Sequence, residues 1–278
     1  DLGMDAITYF LAFARLAPLQ CVTWGCGTTT AIPTIDYFIS SQALETQDAQ
    51  RYYTETLIQL PHLLPYYEVI PPSIKRDRPY FGLNSKTHIY FCPQSLFKIH
   101  PDCDKVFEEI LQNDPQGHLY LLEAEYPHLT QQLMTRFQQT MTSVLTRITF
   151  LPRLPREQFF QWIELADVIL DPLHLVGGTT TYDSLWSGTP IVTLPSSFLR
   201  GRITFACYQQ IGFHDCIATN SQDYVAKALR LGTDEDYRND IKHTLKSCAT
   251  SLYQNPSGIR ELEHWFKDQA RVSHKFAI

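Results

Sequence analysis

The sequence predicts an α/β protein built on parallel, doubly wound sheets. From residue 86 onward, short apolar runs alternate with helical stretches of about 10–15 residues, the pattern of βαβ units. Gly177-Gly178-Thr179-Thr180-Thr181 stands between an apolar strand and a helical run, where doubly wound sheets carry their ligands. Hydrophobic residues make up 44 % of the 278-residue chain and charged residues 19 %. That is enough apolar surface for a core and too little charge for disorder.

The elements follow in order. Ala6 to Ala14 reads as a helix, and Cys21-Val22-Thr23-Trp24 as a buried strand leading into the polar turn 25–30. Asp36 to Ser40 reads as a strand, residues 42–53 as a polar helix, and Thr56 to Leu60 as another strand. Pro71 to Pro79 combines three prolines and four charges without periodicity, which predicts a linker. Four organisational units result: a first segment at 1–70, a linker at 71–85, a second, doubly wound lobe at 86–254 and a final helical segment at 255–278. In the second lobe, strands are expected at 88–92, 118–122, 148–151, 168–170, 191–194 and 216–218. Helices are expected at 104–112, 129–142, 157–165, 180–187, 202–211 and 222–231. Residues 236–252 and 259–270 read as two further helices. Ile259, Leu262, Trp265 and Phe266 form the apolar side of the last.

Composition excludes several classes. The net charge of -6 and the absence of a basic arm argue against nucleic acid as partner. No apolar stretch approaches the ~18 residues of a membrane span, so no membrane insertion is expected. Seven scattered cysteines, an odd number without a CxxC pair, read as reduced thiols of a cytoplasmic protein rather than a disulfide framework or zinc site.

The chemistry concentrates at the glycine turn. Glycines let backbone N–H groups approach an anion, and a helix N-terminus adds unpaired donors and the positive end of a dipole. Asp183, one turn in, can accept from a sugar hydroxyl. Ser95 and Lys98 follow the strand 88–92 and share the same sheet edge, where a lysine can neutralise phosphate. Two Asp-x-Asp triplets, Asp102-Cys103-Asp104 and Asp234-Glu235-Asp236, stand at helix starts and read as caps rather than metal ligands. Core packing is expected for Tyr182, Leu185 and Trp186, and ordinary surface positions for Lys242, Lys246 and Arg260. Arg200 and Arg202 read either as a solvated helix start or as contacts to phosphate or peptide. The residues identify no general base. His174, beside the glycine turn, is the most prominent candidate, against a structural role for the same side chain.

Tyr90 to Pro101 resembles the start of the second catalytic lobe of O-linked N-acetylglucosamine transferases. Arg15 to Gln20, Asp36 to Ser40, Arg147 to Pro152, Leu165 to Val168, Gly177 to Asp183, Gly188 to Val192 and Leu231 to Asp234 agree in order and spacing. The resemblance spans nearly the whole chain and is greatest to bacterial members with tetratricopeptide repeats ahead of the catalytic region. SPINDLY-type O-fucosyltransferases and bacterial N-glucosyltransferases share that architecture.

The resemblance implies a GT-B fold: two Rossmann-like lobes facing a cleft, the last helix returning to the first lobe. The first lobe would be incomplete here, with the family's active-site histidine upstream of Asp1. It implies a metal-independent, inverting transfer of a sugar, N-acetylglucosamine foremost, from a UDP-sugar to a protein or peptide acceptor, with no cofactor. Alternatives are glucose or fucose donors, a small glycan or lipid acceptor, or an inactive nucleotide-binding scaffold. By family match, Ser95 and Lys98 contact the phosphates and Lys98 stabilises the leaving diphosphate. Leu154 and Arg156 frame the uracil; Gly177, Gly178, Thr179 and Thr180 cradle the diphosphate; Asp183 holds the ribose. Gly25, Gly27, Thr28 and Thr29 match the loop near donor sugar and acceptor. The chain departs from the family pattern with Gly178 in place of histidine, Gly27 in place of proline, and Phe159 and Trp162 at nucleotide-facing positions.

Overall fold

The computed structural model describes residues 2, 5–70, 73 and 75–275, with side chains described as far as Arg271. Pro71, Pro72 and Ile74 of the linker lie outside those residues, as do Asp1, Gly3, Met4 and 276–278.

The chain opens with helix α1 (Ala6–Leu11), capped by the Asp5 carboxylate on Thr8 N–H. Three parallel strands follow, β1 (Cys21–Thr23), β2 (Tyr37–Ser41) and β3 (Thr56–Leu60), in spatial order β1-β2-β3. β1 is a half-exposed edge strand, not the buried one its apolar residues suggest. Residues 42–53 hold only a 3-10 turn, Ala49–Tyr52, in place of the expected helix. Side chains compete with the helical ladder there. Glu45 accepts from Ser40 and Tyr53 hydroxyls at 2.6 and 2.9 Å, and Gln50 bonds the backbone of Glu55 and Leu57.

The second sheet has five parallel strands: β4 (His88–Cys92), β5 (Gly117–Leu122), β6 (Ile148–Leu151), β7 (Val168–Leu170) and β8 (Ile191–Val192). Their spatial order is β6-β5-β4-β7-β8. Counted within the lobe this is 3-2-1-4-5, the doubly wound order, whose reversal falls between β4 and β7. The expected strand 216–218 reduces to one bridge, Thr193 to Ile217, confined between the turn that Ile217 N–H closes on His214 C=O and the helix N-cap at Asn220. β4 and β7 are near-continuous buried apolar runs, as a sheet covered on both faces requires. The helices are α2 (Asp102–Asn113), α3 (Pro127–Thr140), α4 (Arg156–Leu165), α5 (Thr179–Ser187), α6 (Ile203–Gln210), α7 (Ser221–Thr233) and α8 (Glu235–Cys248). α2 packs on α7, and α5 packs on both α4 and α8.

Capping is only partly as expected. Asp234 accepts from Tyr237 N–H and caps α8. Asp102 and Asp104 cap nothing: α2 starts after Pro101, and buried Asp104 is held by Arg136 and Thr140. Gly188 ends α5 at φ 78°, where any side chain would strike Lys246 at 2.6 Å.

The last helix, α9 (Ser257–Lys275), lies on the first sheet. Leu262 and Trp265 pack against Ile39, Leu60 and Leu64, and Trp265 meets the Tyr37 ring edge-on at 5.0 Å. Glu261 accepts from His62 N–H at 3.1 Å. Gly258 permits the approach, since a Cβ there would lie 2.3 Å from Leu63 C=O. The lobes meet elsewhere through Arg202 to Leu44 C=O at 3.0 Å and Gln210 to Leu63 N–H at 2.9 Å.

Candidate functional site

The carboxyl ends of β4 and β7, the reversal point of the sheet, bring Lys98 to the glycine turn. After β4 the chain makes a short turn, Leu96–Lys98, that ends on the lysine. Its Nζ donates to Gln94 Oε1 at 2.9 Å and to Val176 C=O at 3.1 Å. Gln94 in turn donates to Thr180 Oγ1 at 2.6 Å. One amide side chain thus joins the lysine to the first turn of α5. Two of the three ammonium donors are engaged among the described residues, both by neutral oxygens. Burial pulls the Lys98 pKa down, while the nearby Asp171 charge pulls it up.

The turn itself is tightly built. Gly177 N–H donates to Asp171 Oδ1 at 3.1 Å. A Cβ on Gly177 would lie 2.6 Å from Thr180 Oγ1 and 2.7 Å from Gln94 Nε2, so the position needs glycine. Gly178 is the N-cap of α5, and Thr179 is exposed at its first position. A Cβ on Gly178 would meet only Trp24, at 3.9 Å. The first-lobe indole therefore faces the turn across the cleft. Asp171 is buried, and burial pushes its carboxyl up to about 6. Its Oδ2 is one of two buried side-chain oxygens without a hydrogen-bond partner among the described residues; the other is Thr193 Oγ1.

Ser95 and Leu154 line a cavity of about 430 Å³ beside this cluster. Phe97, Tyr126, Leu129 and Phe159 give it apolar walls, and Glu123, Glu125 and Arg153 polar ones. Trp162 takes no part; it is buried against Phe81, Phe91 and Tyr120. Arg156 lies outside the cavity lining, exposed, with its guanidinium 3.5 Å from Asp183 Oδ1. Asp183 is only 3 % exposed and accepts from the Tyr67 hydroxyl at 3.0 Å. Burial raises its pKa, with Tyr67 and Arg156 opposing. Tyr67 stacks on Tyr182 at 4.8 Å.

In the first lobe, Gly25 is open, and Gly27 faces Arg200, whose Cβ would lie 3.2 Å from an added Cβ. Gly27, Thr28 and Thr29 line a second cavity of about 250 Å³ with Tyr52, Phe198 and Arg200. Glu55, 2 % exposed, ties this loop down by accepting from Thr29 Oγ1 at 2.6 Å, Thr30 N–H at 2.7 Å and the Thr30 hydroxyl. Arg202 is a strut to Leu44 and Ser196 C=O, while Arg200 covers the Phe198 ring. Lys242 is not an ordinary surface charge: it donates to Ala166 C=O at 3.0 Å, and burial lowers its pKa to about 8.

Sequence reasoning missed Gln94, Trp24, Asp171, Glu55 and Tyr67. Asp171 directly follows β7 and Gln94 stands two residues past β4, both at the ligand edge, a signal that was available. Trp24, Glu55 and Tyr67 act across long separations that periodicity does not encode.

Residues 67–255 match the model of the family described as glycosyl transferase family 41. The chain belongs to that family. It is 30 % identical over 194 residues to a UDP-N-acetylglucosamine–peptide N-acetylglucosaminyltransferase of Caenorhabditis elegans, covering 69 % of this chain and 17 % of that protein. It is 26 % identical over 264 residues to the probable enzyme of that kind named SEC from Arabidopsis thaliana, covering 90 % of this chain and 27 % of the relative. The solved structure of a Thermobaculum terrenum O-GlcNAc transferase mutant superposes with a TM-score of 0.82 at 26 % identity, covering 97 % of this chain and 52 % of that one. The architecture is accordingly GT-B, with two parallel-sheet lobes. The chain spans about a quarter of the length of the first curated relatives. No helix among the described residues is long and apolar enough to cross a membrane.

Proposed function

We propose that the protein transfers N-acetylglucosamine from UDP-N-acetylglucosamine to a protein side chain, with inversion and without a metal in the transfer step. The observation that carries this reading is the Lys98–Gln94–Thr180 relay, which sets an ammonium against the N-terminus of α5. Departure of a nucleoside diphosphate concentrates negative charge on the β-phosphate. An ammonium and backbone donors fixed before reaction stabilise that charge more than they stabilise the bound ground state. The apolar-walled cavity bounded by Ser95, Leu154 and Phe159 would take the uracil. Gly177, Gly178, Thr179 and Thr180 would hold the diphosphate. Asp183 would hold the ribose after exchanging Tyr67 or Arg156 for a sugar hydroxyl, with Arg156 beside it. Gly25, Gly27, Thr28 and Thr29 would approach the donor sugar and acceptor from the facing lobe. Relatives named as peptide-modifying enzymes support a protein acceptor. Upstream tetratricopeptide repeats and a cytoplasmic location complete the proposal.

The test is transfer by the full-length protein from UDP-N-acetylglucosamine, UDP-glucose and GDP-fucose. Lys98→Ala should lower kcat about 10²–10³-fold with a folded second lobe and a smaller change in UDP affinity. Undiminished turnover would remove Lys98 from the mechanism. Tight UDP binding without transfer from any donor would establish a nucleotide-binding scaffold instead.

A further inference from the structure

The loops that carry Lys98 and the glycine turn meet a second time, beyond the relay. His100 lies two residues after Lys98, Asp102 opens α2, and His174 lies three residues before Gly177. His174 Nε2 is 2.7 Å from Asp102 Oδ2, and His100 Nδ1 is 3.3 Å from the same oxygen. The imidazoles meet edge to face at 4.8 Å. One ligand atom from each of the three residues lies within 4.8 Å of the others. His174 also holds φ 74°, a left-handed conformation uncommon for a side-chain-bearing residue. Such backbone is unfavourable and persists where the surroundings fix it. A cavity of about 630 Å³, lined by Asp102, His174, Lys105, Ser196 and Asn220, opens on the group. It lies toward the β8 side of the sheet, away from the cavity assigned to the base.

We propose that His100, Asp102 and His174 form a binding site for a late first-row divalent cation, zinc foremost. Two imidazoles and one carboxylate are the donor set of zinc and its neighbours, whereas magnesium and calcium prefer oxygen alone. Ligand atoms about 2.0–2.1 Å from a tetrahedral zinc stand about 3.3 Å apart. The His100–Asp102 pair has that spacing, and His100 Nδ1 would exchange the Asp102 N–H it accepts at 3.2 Å for the metal. The closer His174–Asp102 pair would open slightly, and the exposed rings can turn toward one another. Water from the adjoining cavity would complete the coordination. The cation would touch no substrate. It would cross-link the β4 and β7 loops and so position Lys98 against the glycine turn.

The test uses the full chain stripped with a chelator, then titrated with Co²⁺ as a spectroscopic probe. The expected result is saturable visible d–d absorption without sulfur charge-transfer bands, one ion per chain, abolished by Zn²⁺. Asparagine tolerates the left-handed backbone at 174, so His174→Asn removes the ligand while keeping the loop. Loss of supporting groups around a metal alone costs 10–100-fold in affinity, so loss of a ligand in His174→Asn should cost at least about 100-fold. His100→Asn, on the exposed loop, gives the same reading should the first variant lose its fold by circular dichroism. No absorption, or absorption unchanged in both variants, overturns the site and leaves an imidazole–carboxylate hydrogen bond.

Discussion

Two glycine–threonine turns of nearly equal composition end in different structures. Gly25-Cys26-Gly27-Thr28-Thr29-Thr30 follows β1, and Gly177-Gly178-Thr179-Thr180-Thr181 follows β7. The second runs into α5; the first runs into Ala31 at φ 54° and then Pro33, whose ring forbids a continuing helix. Both turns gather donors suited to an anion. In the first lobe that anion is built in, the buried Glu55 carboxylate on Thr29 and Thr30. In the second, Asp171 braces the turn from behind, and Lys98 stands in front. The difference teaches that a turn motif specifies a donor array, and that its surroundings decide whether protein or ligand fills it.

The two carboxylates give the comparison its largest measurable effect. Asp171 titrates near 6 in the folded protein, raised by burial above its ordinary 3.8. Its stabilising contribution is therefore present below pH 4 and lost as pH rises from 4 to 6, a change of up to about 3 kcal/mol. Asp171→Asn keeps an acceptor for Gly177 N–H and should abolish that slope in urea unfolding midpoints across pH 4–7. Parallel curves for variant and parent would show that Asp171 is not the group titrating.

Next in size is a glycine contrast. Gly177→Ala forces a methyl against Thr180, Gln94 and Thr181 and should cost about 1–3 kcal/mol of stability, weakening UDP binding with it. Gly25→Ala meets nothing within 4 Å and should stay within about 0.5 kcal/mol. Thermal unfolding and UDP titration of the pair check this. Equal effects would mean that the turns are equally constrained, against the packing described.

The smallest effect belongs to Glu55. Burial pushes its pKa up, but the Thr29 and Thr30 donors outweigh that and leave it lowered. Its contribution is thus present above the ordinary value of 4.5 and lost as pH falls, the opposite sign to Asp171. Glu55→Gln should cost about 1 kcal/mol at neutral pH and weaken the acid limb of the unfolding curve. An acid limb identical to the parent's would assign that limb elsewhere.

Much of the second lobe was legible because its strands are buried on both faces and announce themselves as apolar runs. β4, β6 and β7 begin and end where the pattern puts them, and the glycine turn marks the sheet edge. The first lobe was less legible. Its residues 42–53 have helix-like composition, yet Glu45 and Gln50 spend their side chains on backbone and hydroxyl partners. At the site, Ser95, Lys98 and the glycine turn were readable from local chemistry. Of the two departures from the family pattern at nucleotide-facing positions, Phe159 lines the cavity while Trp162 packs inward, a difference the sequence does not encode. His100, Asp102 and His174 were each visible singly, but their meeting depends on a fold-level crossing of two loops.

Tyr67 belongs to the connection between the lobes, bridges to Tyr253, and gives its hydroxyl to Asp183 on α5. A ligand hydroxyl that takes Asp183 Oδ1 would displace that tyrosine, whereas one on Oδ2 would leave the contact in place. Ligand binding at Asp183 and the hold of the inter-lobe connection on α5 would then be linked through one carboxylate.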